Sequence, residues 1–250
     1  MPVSWPSGVR SLPIREGYSR EPQDVVARLK PDAGPARRFL LDGACSERVQ
    51  GVLSLPAAEA DLFRAWHEGT AEKGMRSFDW QIPDTGAAVI ARLAAQPKFT
   101  RQAARWRVAL DIATQPPEPS PAALAALAAL EDDGPADWPL AVPFRPKRSG
   151  WVLTPEDGVL RSPEDGLQRQ SLTSRADGSV LDLVIHASNT QKAAFETWFR
   201  SVAAFGARDV RFPGIGGGTH LGHFHRSYRI TPARGAEWVI STSIYLEAVA

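Results

Sequence analysis

The chain has 250 residues, enough for one large domain or two ordinary ones. Its 29 basic and 28 acidic side chains nearly cancel, which removes the basic excess usual in nucleic-acid and membrane-surface proteins. Cys45 is the only cysteine, so the chain can form neither an intramolecular disulfide framework nor a cysteine zinc cluster, and folding in a reducing cytoplasm is expected.

The first residues, MPVSWPSGVRSLPIREGY, are irregular and lack the apolar centre of a signal peptide. No stretch reaches the roughly eighteen apolar residues of a membrane span, so a soluble intracellular product is expected. A hairpin follows over 35–56, PARRFLLDGACSERVQGVLSLP, with Asp42-Gly43 as its turn between alternating runs. Pro56 then precedes a helix in which Leu62, Phe63 and Trp66 fall at helical spacing, and Gly74 sits where a helix stop is expected. A short strand with a buried aromatic, a PDTGA turn (83–87) and a closing strand opened by Trp106 complete this part.

Residues 114–137 change in composition. Their proline-rich start is stiff, and PAALAALAALEDD is a strong helix former with Ser120 as N-cap and Pro121 in the first turn. Leu124, Leu127 and Leu130 give this linker helix a narrow apolar stripe for packing on a domain.

Beyond the linker the same order returns. A hairpin spans 167–188 with Asp177-Gly178 as its turn. Ser188 or Asn189 can cap a helix carrying Ala194, Phe195, Trp198 and Phe199. Gly206, Phe212 and a Trp238-led strand follow. Phe63 and Phe195, Trp66 and Trp198, Gly74 and Gly206, Arg76 and Arg208, Trp80 and Phe212, and Trp106 and Trp238 are each 132 residues apart. Upstream the spacing is 133 for Trp5 and Trp138, Gly17 and Gly150, Tyr18 and Trp151, and Pro22 and Pro155, which a single deletion explains. A period this long is a duplicated domain, not the roughly 20–50-residue unit of a solenoid. The expected organisation is copy 1 over 1–113, a linker over 114–137 and copy 2 over 138–250. The expected class is α+β, mostly β, with one helix packed on antiparallel strands in each copy and the aromatics inward.

Motifs that carry chemistry are few. PGIGGGTHLGHFHRSY (213–228) has Gly214, Gly216, Gly217 and Gly218, but no lysine follows them and strand-like residues come next, so it is not a phosphate loop. His220, His223 and His225 form H-x₂-H-x-H. On a strand, His223 and His225 would share a face and could share a metal, with His220 closing from the loop; the other reading is a polar strand face or an interface. There is no G-x-S-x-G elbow, and the acidic pairs at 131–133, 155–157 and 163–165 read as solvated turns. No catalytic residue, cofactor site or metal site is assigned, and no enzyme is expected.

Each copy resembles a tailed-phage minor tail protein of the lambda distal-tail type. REGYSREP (15–22) and RSGWVLTP (148–155) are similar to the family's basic, Gly-aromatic opening. MRSFDWQIPD (75–84) and ARDVRFPG (207–214) are similar to its turn into an aromatic strand ending in proline. The likeness runs along nearly the whole chain, once per copy, whereas the family pattern occurs once. It implies two tandem tail-tube-like β-sandwich domains in a structural virion protein, assembled in the bacterial cytoplasm. It further implies a homo-oligomeric ring, trimer or hexamer, between the tail-tube protein and the tail-tip or baseplate hub. DNA would pass transiently through the lumen, and no membrane is involved. A tube or terminator component, and a metal module built on His220, His223 and His225, are the alternatives.

Overall fold

The structure is a computed structural model. It describes residues 1–23, 26–29, 37–40, 46–115, 134–144, 151–155, 159–162, 169–172, 179–213, 218–233, 235 and 237–246. The expected linker helix, both Asp-Gly turns, the three acidic pairs and Gly214, Gly216 and Gly217 lie outside the described residues. The hairpins expected around those turns do not form: Arg37–Leu40 pairs with Val26–Leu29 and Arg169–Leu172 with Val159–Ser162, each in a two-stranded sheet of its own, while Glu47–Pro56 and Ser179–Ala187 join the large sheet. An alternating pattern shows that a strand forms, not which strand it pairs with. What is described is mostly β with two α-helices, an α+β chain. Contacts divide it into two compact units. Unit 1 is Met1–Gln23, Ala44–Pro119 and Arg229–Arg234, and unit 2 is Asp24–Gly43, Ser120–Tyr228 and Gly235–Ala250. The units therefore do not follow the repeat boundaries: each takes in a segment from the other half of the sequence.

In chain order the first half carries β1 (Val3–Ser4), β2 (Ile14–Pro22), β3 (Val26–Leu29), β4 (Arg37–Leu40), β5 (Glu47–Pro56), α1 (Ala57–Glu68), β6 (Phe78–Gln81), β7 (Ala88–Leu93), β8 (Lys98–Gln102) and β9 (Arg105–Thr114). The second half carries β10 (Ala136–Asp137), β11 (Trp151–Pro155), β12 (Val159–Ser162), β13 (Arg169–Leu172), β14 (Ser179–Ala187), α2 (Asn189–Ser201), β15 (Val210–Pro213), β16 (Thr219–Phe224), β17 (Arg229–Pro232) and β18 (Trp238–Leu246).

In unit 1 the strands run β1-β6-β7-β9-β5-β2-β17, with β8 also on β9. The spine is β5 against β9, antiparallel in unbroken register from Arg48 opposite Ala113 to Pro56 opposite Arg105. Side chains alternate across a strand, so Val49, Leu53 and Leu55 of β5 and Val108, Leu110 and Ile112 of β9 all point into the core. Helix α1 buries Ala60, Phe63, Trp66 and His67, a stripe of one helical face. Trp5 sits among the rings of Phe63, Trp66 and Phe78 at 5.5, 5.4 and 5.6 Å. Its own indole N–H donates to the Val9 carbonyl at 3.0 Å, and that of Trp66 donates to the Ser4 carbonyl at 3.0 Å. Trp66 is thus buried and Trp5 half-buried, and each satisfies its one donor.

Unit 2 repeats the plan as β10-β15-β16-β18-β14-β11. Trp138 lies 5.8, 5.3 and 5.7 Å from Phe195, Trp198 and Phe212. Its N–H donates to the Val142 carbonyl at 2.9 Å, and that of Trp198 to the Asp137 carbonyl at 3.0 Å. Helix α2 starts on a capping box: Ser188 Oγ accepts from the Gln191 N–H at 3.3 Å, while the Gln191 side chain accepts from the Ser188 N–H at 2.9 Å.

The turn after each helix explains why the two segments read alike. Glu72, Lys73 and Gly74 have φ of 48, 57 and 89°, and Ala204, Phe205 and Gly206 have 47, 56 and 86°. Three successive left-handed residues reverse the chain from helix to strand, and the third admits only glycine without strain. Space is tight there as well. A Cβ on Gly74 would lie 3.1 Å from Leu93 Cβ, and one on Gly206 2.9 Å from Phe224 Cβ. The sequence places the helix stop at these glycines; the α-helices in fact end earlier, at Glu68 and Ser201, and the glycines close the turn that follows.

Candidate functional site

The three histidines come first. Strand β16 ends at Phe224, so His225 lies beyond it, exposed, with its backbone N–H on the Ser243 carbonyl at 2.8 Å. His220 is half-buried and stands opposite Phe212 of β15. His223 is buried opposite Tyr245 of β18, with the two rings 5.0 Å apart and tilted by 31°. His223 follows His220 by three positions along the strand, an odd offset that puts them on opposite faces. Among the described residues no three His, Cys, Asp or Glu side chains are grouped to hold a metal ion.

Among the described residues, a buried polar cluster that no sequence motif marks surrounds Arg20. Arg20 of β2 has 1% of its side chain exposed, and its guanidinium is held on both sides. Nη1 donates to Glu47 Oε1 and Oε2 at 3.0 and 3.1 Å. Nε and Nη2 donate to Asp84 Oδ2 at 3.1 and 2.8 Å. The Tyr18 hydroxyl donates to Asp84 Oδ1 at 2.7 Å. Burial first, and then the Asp84 carboxylate beside it, push the Tyr18 phenol far above its ordinary range, so it remains a donor. Thr114 Oγ1 accepts from the Glu47 N–H at 3.0 Å and returns a bond to the Glu47 carbonyl at 3.3 Å.

Its five members come from four places: Tyr18 and Arg20 from β2, Glu47 from the start of β5, Asp84 from the β6–β7 turn and Thr114 from the end of β9. The PDTGA turn is closed by its backbone, Gly86 N–H to the Ile82 carbonyl at 2.8 Å, as an inter-strand turn should be. Its Asp84 also reaches back 64 residues to Arg20. At the matching places of the second half stand Trp151, Leu153, Ser179 and Gly216, so the cluster belongs to the first half alone. The register supports the matching: Arg20 pairs with Val49, and Leu153 with Leu181.

A second difference lies on the helices. His67 of α1 holds the place of Phe199 in α2. It is buried, burial pushes its imidazole below the ordinary value, and its Nε2 has no hydrogen-bond partner among the described residues. A cation on each helix lies over the tryptophan that opens the last strand: Arg64 is 5.5 Å from the Trp106 ring, and Lys192 is 4.6 Å from that of Trp238. Arg64 also covers Phe99 of β8 at 4.8 Å. Near Trp5, a shallow recess of about 420 Å³ is lined by Ser11, Asp79, Trp80, Gln81 and Val89.

These features hold elements in place. Arg20 ties a turn to two strands, and Arg64 and Lys192 tie helix to sheet. Among the described strands, β8 is paired only with β9, β11 only with β14, β1 only with β6 and β10 only with β15.

No family model matches the chain, and no curated protein is significantly similar to it.

Proposed function

We propose that the chain is a structural protein of a phage or phage-like tail. Two tail-tube-like β-sandwich copies per chain close into a ring at the distal end, joining the tail tube to the baseplate or hub. The observation that carries this reading is the repetition of one strand order, β1-β6-β7-β9-β5-β2 and β10-β15-β16-β18-β14-β11, in a chain whose short motifs resemble that family in both halves. A ring of three such chains offers six similar copies to a six-fold tube and remains three-fold towards a hub. The copies are similar but not the same. The Arg20 cluster occurs in one and the glycine-histidine segment in the other, so six copies alternate as three and three. Closed cyclic symmetry is the usual outcome for repeated identical contacts.

In this role the chain positions partners and catalyses nothing. A balance of 29 basic to 28 acidic residues suits a lumen that DNA crosses without being gripped. Negative-stain electron microscopy of the purified chain tests the reading. Closed rings with six lobes and three-fold symmetry are expected. A ring of twelve lobes would remove the adapter role, and particles without rotational symmetry would overturn the ring itself.

A further inference from the structure

We infer that the outer edges of β8 and β11 are the surfaces by which one copy of the chain joins the next, β8 of one pairing with β11 of its neighbour. This rests on the ring reading and says which atoms would make the ring.

Strands β8 and β17 hold the same place in the repeat, each lying between the strand after the aromatic turn and the Trp-led final strand. Phe99 and Ile230 are 131 residues apart, as are Leu93 and Phe224 just upstream. Strands β2 and β11 likewise correspond. Within unit 1, β17 already lies antiparallel to β2, with Ile230 opposite Arg20. Ile230 is fully buried there. Arg229 reaches Glu21 at 3.7 Å and Gln50 at 3.3 Å across the same edge. A strand of this kind therefore has a demonstrated partner, the outer edge of a strand of the β2 kind.

The other two members of this set of four have one strand neighbour each among the described strands, β9 for β8 and β14 for β11. The burial of β8 agrees with an unfilled edge. Phe99, in the place of the fully buried Ile230, is only half-buried, and Lys98, Thr100, Arg101 and Gln102 are exposed. A row of free backbone donors and acceptors is a template for another strand. One charge matches the same occupant: Lys98 stands where β17 has Arg229, and Asp182 of β14, half-exposed, stands where β5 has Gln50, which accepts from Arg229. The two edges differ, so the contact is head-to-tail: it recurs at every copy and closes a ring when the rotation allows.

Light scattering coupled to size exclusion, with hydrogen–deuterium exchange on the intact chain, tests this. The expected result is a multiple of the 27.2 kDa mass at high concentration. Amides of 98–102 and 151–155 should exchange more slowly in that multimer than after dilution to the monomer, while those of 229–232 stay the same. Lys98→Glu with Arg101→Glu should return the mass to 27.2 kDa without moving the thermal transition. A 27.2 kDa species at every concentration would overturn the inference together with the ring reading. A multimer whose 98–102 and 151–155 amides exchange as fast as the monomer's would overturn the edge assignment alone and leave the ring standing. So would one that persists in the double variant.

Discussion

Replacing Arg20 by leucine isolates what the buried cluster does, because leucine is the residue at the matching place in β11, Leu153. In β2 the substitution removes four hydrogen bonds at once: two to Glu47 and two to Asp84, from 2.8 to 3.1 Å. It leaves two carboxyl groups buried, with 6% and 1% of their side chains exposed, and no guanidinium between them. Removing one partner of a buried pair costs about 3–5 kcal/mol, far more than the pair is worth against an apolar replacement. At about 2–4 °C per kcal/mol for a chain of this size, the melting temperature should fall by about 10 °C. Scanning calorimetry is the assay, since two compact units need not melt together. The control is the triple variant Arg20→Leu, Glu47→Ser, Asp84→Gly, which brings in the second half's residues at those places. It should melt above the single variant, because the stranded carboxyls go with the cation. A single-variant loss under about 1 kcal/mol would place the cluster among surface ion pairs, which are worth that little. A triple variant less stable than the single one would refute the account of stranded charge.

His67→Phe, which installs the residue found at Phe199, should raise stability most at acid pH. Burial holds the folded-state imidazole below its ordinary value of 6.5, so the unfolded chain takes up the proton first; the wild type loses stability as pH falls through that value, and a melting series across it should flatten in the variant. Gly206→Ala should cost about 1–3 kcal/mol, from φ of 86° and a Cβ 2.9 Å from Phe224 Cβ, whereas Gly86→Ala, at φ 69° with nothing within 4 Å, should cost only the backbone part; paired chemical denaturation curves compare them. Ser188→Ala should cost about 1 kcal/mol by removing the capping box of α2, read as a lower thermal midpoint by circular dichroism.

What was legible in the sequence is what the backbone and the core demand locally. Trp5 and Trp138 announce the repeat because a large ring with one donor is fixed by its cage and one carbonyl, and few residues can replace it. Gly74 and Gly206 announce it because the third left-handed residue of the turn is strained for any side chain, and a Cβ there would crowd Leu93 or Phe224. The periodicity of β5 and of α1 is of the same kind, a burial pattern readable over a dozen residues or fewer. Asp84 shows the opposite case. Nothing within PDTGA distinguishes a turn aspartate that bonds its own loop from one that crosses to a strand 64 residues earlier; the distinction lies wholly in the partner. The histidines fail for a related reason. Strand parity groups His223 with His225 only if the strand continues, and it stops at Phe224, where the chain leaves the ladder beside Ser243. The placing of Arg229–Arg234 in unit 1 was hidden more deeply still, because β17 has the same local pattern whichever strand it pairs with. A strand edge carries almost no sequence signature of its partner, since the ladder is made by backbone groups that every residue but proline possesses.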